Sequence, residues 1–299
     1  MRIALLHTRI RAEERLLIEA LDARGIETDV IDVRSFVLDP AGPGIEADAV
    51  LDRSMSVAAS RAALSVLERS GVPCFNGTRT LDVCSDKLAT AAALAGAGVP
   101  APRTLAAVGE QAAIEAVERI GYPAVIKPAT GSWGRLIARV SDRESAEAIL
   151  EHKFTLGSTL QKTVVVQEYV DKPGRDLRIF VVGGRAIAGI ARSSEHWITN
   201  TARGGSATGI NVSGEIGAIS EAAARAVGGG ILAIDLLECP RRGLLVNEIN
   251  HSMEFRNSID TTGVDIPGVV VEHVLERAGA PTIEMAAMRA RSAAMEASA

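Results

Sequence analysis

Along the first hundred residues, short apolar runs alternate with longer segments whose apolar positions recur every three or four residues. The runs at 2–6 (RIALL), 27–33 (ETDVIDV), 47–53 (ADAVLDR) and 72–76 (VPCFN) read as strands. The segments 12–25 and 56–71 read as amphipathic helices, each closed by a glycine. Strands alternating with glycine-stopped helices predict βαβ units and a parallel sheet. A further helix is expected over 85–102 (SDKLATAAALAGAGVPAP), and its closing glycines and prolines mark the best boundary in the chain.

The second half has a different rhythm. Residues 122–140 predict strand, glycine-containing loop, strand, followed by a helix over 142–157 and a buried strand over 163–170. Residues 175–192 predict a hairpin turning at Gly183-Gly184. After a helix ending at Gly228 to Gly230, ILAIDLLE (231–238) and GLLVNEIN (243–250) form another strand pair. Antiparallel hairpins mixed with helices make this part α+β, against the α/β pattern of the first part. Residues 279–299, rich in Ala and Met, read as a frayed helix or tail.

Composition narrows the class. The chain is 47% hydrophobic but only 3% aromatic, so small aliphatic residues must carry the core. No apolar run reaches the ~18 residues of a membrane span. Three cysteines without a pairing motif argue for a reducing, cytoplasmic setting. A net charge of −5 disfavours general nucleic-acid binding. Residues 171–205 nevertheless hold six basic side chains against three acidic ones, a patch suited to a small anion or to ordinary ion pairs.

Several standard signatures are missing or misplaced. There is no Gly-Lys pair for a Walker-type loop, and the five histidines lack metal spacing. VGGGILA fits a dinucleotide fingerprint in letters, but it follows a helix and precedes a strand, the reverse of what that motif needs.

The stretch 244–258, LLVNEINHSMEFRNS, carries more. Glu248 and Asn250 stand two apart on an expected strand and so share a face. Asp235 ends the neighbouring apolar run, and an antiparallel pair would bring the three together. Such hard oxygen donors suit Mg2+ or Mn2+, which commonly accompany phosphates. Lys127 ends the strand AVIK, and the TGSWGR loop after it offers backbone N–H groups to an anion. Gln167 to Val170 end a buried strand where backbone groups could read an adenine edge.

These parts come in an order that resembles the ATP-grasp ligases. The closer resemblance is to the branch that joins 2-aminoadipate to an amino-group carrier protein in lysine biosynthesis. SDKLAT, VIKPATGSWGRL, QEYVDKPGRDLRIFVV, HWITNTARGG, AIDLLE, LLVNEINHSMEF and NSIDTTGVDIPG carry it, across about residues 85–268. The resemblance implies an ATP-grasp fold over 85–278, with subdomains of about 100–170 and 171–278, behind a parallel-sheet pre-ATP-grasp domain over 1–84. Lys87 and Lys127 would contact the nucleotide phosphates under a loop of Gly131, Ser132, Trp133, Gly134 and Arg135. Gln167, Glu168, Tyr169 and Val170 would form the adenine hinge, with Asp176 or Glu168 on the ribose. Arg192, Lys127 and Asn200 would act at the γ-phosphate and the transferred acyl group. Asp235, Glu248 and Asn250 would hold Mg2+ on ATP.

Arg178, His196, Arg203, Gly204, Gly205, Asn257 and Ser258 would meet the substrates. The Asn257-Ser258 pair resembles that of aminoadipate-selective members, where glutamate-selective relatives have Gly-Phe. The implied partners are a small acidic amino-group carrier protein, 2-aminoadipate or glutamate, and further copies of the chain in a dimer or tetramer. The alternatives are a glutamate ligase acting on the carrier, on a ribosomal protein or on a cofactor tail, and a nucleotide-binding regulator without turnover.

Overall fold

The computed structural model describes residues 1–42, 45–131, 136–158, 162–199 and 205–279. The chain opens with β1 (Arg2–His7), α1 (Ala12–Asp22), β2 (Glu27–Asp32), β3 (Ala49–Asp52), α2 (Val57–Arg69), β4 (Cys74–Phe75) and α3 (Thr78–Ser85). The strands form a parallel sheet in the order β2-β1-β3-β4. Alternation along β1 divides its side chains between two layers. Ile3 and Leu5 pack with Leu17 and Leu21 of α1, whereas Ala4 and Leu6 pack with Leu64 and Leu67 of α2. Burial on both faces explains the near-continuous apolar runs of β1 and β3.

Next come α4 (Lys87–Gly96), β5 (Thr104–Ala107), α5 (Glu110–Ile120), β6 (Ala124–Pro128), β7 (Ala138–Val140), α6 (Arg143–Leu156) and β8 (Val164–Glu168). Their strands make an antiparallel sheet, β5-β8-β6-β7, which packs against α5 and α6 through Ala113, Val117, Ile126, Leu150 and Val166. The helix expected over 85–102 starts later and stops sooner. Asp86 is extended, bridges to Thr130, and its carboxylate accepts the N–H groups of Leu88 and Ala89, so α4 begins at Lys87.

The last part comprises β9 (Arg175–Val182), β10 (Arg185–Ser193), β11 (Ser206–Gly209), α7 (Glu215–Ala226), β12 (Ile231–Cys239), β13 (Gly243–Asn250), α8 (Arg256–Thr262) and α9 (Ile266–Ala278). Its antiparallel sheet runs β11-β10-β9-β12-β13. Gly228, Gly229 and Gly230 all have positive φ and end α7, as the reversed fingerprint implied.

The two faces of this sheet differ. Leu177, Ile179, Val181, Leu232, Ile234 and Leu236 face α7 in one core. Phe180, Val182, Ala188, Ile190, Ile231 and Ala233 face α1 and α9 in another, continuous with the N-terminal unit. Further along that second face the apolar residues give way to Asp176, Arg178, Arg192 and Asp235, all lining a cavity. One sheet face is thus half core and half site. Among the described residues no helix is long and apolar enough to cross a membrane.

Candidate active site

The cavity has a volume of about 260 Å³. One wall comes from the β6 and β8 region, with Val125, Lys127 and Gln167 to Val170; the floor is the charged half of the β9–β12 face. The N-terminal unit closes it with Arg11, Ser54, Met55 and Val57.

Lys127, near the end of β6, is buried. Its Nζ donates to Gln167 Oε1 at 2.6 Å and to Asn247 Oδ1 at 3.2 Å. Burial lowers its pKa to about 8, with Glu248 opposing and Lys87 and Lys172 adding to the fall. Lys87 sits in the first turn of α4. Its Nζ donates to the Gly131 carbonyl at 2.5 Å and lies 3.9 Å from Glu248 Oε1. Lys87 and Lys127 therefore line the same cavity as two cations.

Across the floor, charges alternate from strand to strand because register places them opposite one another. Arg192 on β10 pairs with Asp176 on β9, and Arg178 on β9 pairs with Asp235 on β12. Arg192 donates to both oxygens of Asp176, at 2.7 and 2.9 Å, and lies 3.1 Å from Asp235 Oδ2. Arg178 donates to both oxygens of Asp235 at 2.8 Å. Asp176 also accepts from the Thr199 hydroxyl, and Lys172 Nζ is 3.7 Å away. Burial works to raise the pKa of Asp235, but the two guanidiniums overcome it and hold the carboxyl below its usual range. The same carboxylates, against the cost of burial, keep Arg192 firmly protonated.

β13 brings the remaining oxygens. Leu236 pairs with Val246 but Asp235 pairs with Glu248, so Asn247 is the extra residue of a bulge. Val246 and Ile249 enter the α7 core, while Glu248 and Asn250 face the cavity opposite Asp235 and Ala233. Two carboxylates and an amide thus line the same cavity. The Asn250 Nδ2 is buried without a hydrogen-bond partner among the described residues, an amide whose environment is incomplete. This donor set fits a hard divalent cation, which would take over part of the Asp235 carboxylate from the arginines.

A family model described as the RimK-like ATP-grasp domain matches residues 84–274, and one described as the LysX preATP-grasp domain matches residues 3–83. The chain belongs to the RimK-like ATP-grasp family. It is 32% identical over 279 residues to the glutamate–LysW ligase ArgX of Sulfurisphaera tokodaii, covering 92% of this chain and 99% of that one. It is 34% identical over 269 residues to the alpha-aminoadipate–LysW ligase LysX of Saccharolobus solfataricus, covering 89% and 98%. A crystal structure of a RimK domain ATP-grasp protein from Sphaerobacter thermophilus superposes with a TM-score of 0.77 at 31% identity, over 92% of this chain and 100% of that one.

Within this ATP-grasp frame the expected hinge, Gln167 to Val170, lines the cavity. Glu168 is already engaged: its carboxylate accepts the Arg103 N–H at 2.7 Å and a guanidinium N–H of Arg242. Asp176 is held in the arginine ladder. Val170 packs with Leu237 and Leu245, giving the hinge an apolar floor. The Tyr169 ring lies under Arg139, 5.2 Å away, and meets the edge of Trp197 at 6.2 Å.

Ser132, Trp133, Gly134, Arg135, Asn200, Arg203 and Gly204 lie outside the described residues. His196 is exposed, its Nδ1 accepting from the Ile198 N–H at 3.0 Å; neither it nor Gly205 is among the lining residues. Asn257 and Ser258 lie in the first turn of α8, which packs on β10 and β11, and they too are not among the lining residues. Sequence reasoning missed Asn247, Arg11 and Glu254. Asn247 was hidden because strict alternation assigns it to the core face, and only a bulge turns it toward Lys127.

Proposed function

We propose that this ATP-grasp ligase joins the γ-carboxylate of the C-terminal glutamate of a small amino-group carrier protein to the α-amine of 2-aminoadipate. The carrier carboxylate attacks the γ-phosphate of ATP to form an acyl phosphate, and the amine then displaces phosphate to leave an amide. The observation that carries the reading is the convergence of Lys87, Lys127, Arg192 and the Asp235–Glu248–Asn250 oxygens on one cavity between two sheets. Similarity to carrier-protein ligases over nearly the whole chain supports the choice of acceptor.

Each charged group has a task in this chemistry. Lys87 and Lys127 neutralise the polyphosphate. Val125, Ile137, Val170 and Leu237 offer apolar surface to the base, with hinge backbone at its edge. Arg192, rigidly held between two carboxylates, presents fixed positive charge to the transferring phosphoryl group, the kind of preorganised donor worth on the order of 10²–10³ in rate. Asp235, Glu248 and Asn250 would hold Mg2+, or Mn2+, which when bound screens phosphate charge and orients the polyphosphate. The division at residues 84/85 separates a unit that closes the cavity from the part that builds its phosphate and metal groups.

Glutamate is the second reading for the amino acid, because relatives of both specificities resemble this chain to a similar degree. The Asn257-Ser258 pair favours aminoadipate. One methylene separates the two substrates, worth only about 1–3 kcal/mol. The deciding measurement is the intact mass of the carrier after incubation with enzyme, Mg-ATP and either amino acid. A gain of one aminoadipate residue, with little glutamate, is expected. Gain of glutamate alone overturns the aminoadipate assignment, and no gain with either overturns the carrier as acceptor.

A further inference from the structure

Arg11 and Glu254 stand together on the cavity wall, and neither is among the groups assigned to phosphate or metal. Glu254 lies between Met253 and Phe255, both buried in the core beneath α9. Ser252 and Glu254, on either side of Met253, line the cavity instead. This segment is pinned from the N-terminal unit. Arg53 donates to the Met253 carbonyl at 3.0 Å and to Glu14 Oε1 at 3.1 Å. Glu14, fully buried, also accepts from Arg11 Nε and Nη2 at 3.0 and 2.8 Å. The remaining terminal nitrogen of Arg11 reaches Glu254 Oε1 at 3.2 Å.

The two ion pairs differ in exposure. The side chains of Arg53 and Glu14 are 3% and 0% exposed, whereas those of Arg11 and Glu254 are 17% and 37% exposed. A buried pair thus fixes a second pair that keeps open faces toward the cavity. An α-amino acid carries an ammonium and a carboxylate two bonds apart, the complement of a neighbouring carboxylate and guanidinium. Ser252 Oγ, on the same wall, is buried with no hydrogen-bond partner among the described residues.

We infer that Arg11 and Glu254 form the subsite for the α-carboxylate and α-ammonium of the acceptor amino acid, with Glu254 taking the ammonium proton before attack. The inference rests on the ligase reading above. An ammonium has no lone pair, so one proton must leave first. The Glu254 carboxylate accepts it and becomes a carboxylic acid. The freed amine forms the C–N bond at the acyl-phosphate carbon, the C–O bond to phosphate breaks, and phosphate departs with that electron pair. The second proton on nitrogen goes to the departing phosphate, and Glu254 returns its proton to solvent.

The charged groups facing Glu254 are Arg11 and Glu13 at the start of α1, Arg53 after β3, and Arg178 on β9. Burial, with Glu13, raises the Glu254 pKa above the ordinary value while the arginines oppose the rise. The direction suits a group that must accept a proton near neutrality.

The test separates the two half-reactions. Hydroxylamine, neutral at pH 7, captures an acyl phosphate without needing a base, so carrier hydroxamate reports the first half-reaction and the folded state of each variant. Glu254→Gln is expected to form hydroxamate within about threefold of wild type while amide formation falls about 100-fold. Arg11→Gln is expected to raise the KM for the amino acid about tenfold or more while hydroxamate formation persists. Loss of both half-reactions in equal measure, or of neither, overturns the inference, as does an unchanged amino-acid KM in Arg11→Gln. Wild-type protein that forms no hydroxamate overturns the ligase reading, and this subsite with it.

Discussion

Arg192 lies between Asp176 and Asp235, so its removal leaves two buried carboxylates each short of a partner. Arg192→Ala is expected to cost about 3–5 kcal/mol, read from the urea midpoint. Adding Asp176→Asn should recover part of that loss, because the neutral amide tolerates burial better than a lone charge. Lys127 gives a pH signature. Its folded pKa of about 8 lies below the unfolded value near 10.4, so burial penalises the folded state fully below pH 8. Between about pH 8 and 10.4 the unfolded chain binds more protons, and that penalty is relieved as pH rises. Over the same rise the lysine loses the charge that attracts phosphate. ADP affinity, measured by calorimetry, is therefore expected to weaken above pH 8 in wild type and to stay flat in Lys127→Met.

At the scale of elements, β13 shows what alternation can and cannot reveal. Glu248 and Asn250 share a face because they are two apart, and the antiparallel pairing with Asp235 follows from two adjacent apolar runs. The bulge at Asn247 has no letter pattern; it is set by the need to keep both Val246 and Ile249 in the α7 core while the acid and amide face out. The same limit hid the late start of α4 at Lys87, after Asp86, an extended cap that bridges to Thr130. The arginine ladder was legible as a basic patch, but not as a ladder, because its partners come from three strands. Deleting Asn247 would restore a regular register with Glu248 still opposite Asp235. That variant is expected to keep its melting temperature within about 4 °C. Turnover should drop, since Lys127 loses one of its two acceptors.

Across the whole molecule, the parallel and antiparallel units were readable from their hydrophobic rhythm, whereas the contacts between them were not. Asn76, just after β4, donates to the carbonyls of Ile231 and His251 at 2.8 and 2.6 Å and accepts from the Ile231 N–H at 2.7 Å. Gly230 fits there because a Cβ would stand 1.9 Å from the Asn76 oxygen. Asn76→Ala leaves three backbone groups unpaired at the junction and is expected to cost about 3 kcal/mol, measured by denaturant unfolding.

The cavity wall carries six cations and five carboxylates among the described residues, in a chain of net charge −5. The lining is thus +1 and the rest of the chain −6, so the cavity is a small island of opposite sign. An anionic nucleotide meets repulsion at long range and attraction at contact. Added salt should then act in two directions at once, speeding encounter by screening the exterior while shortening the residence of what has arrived.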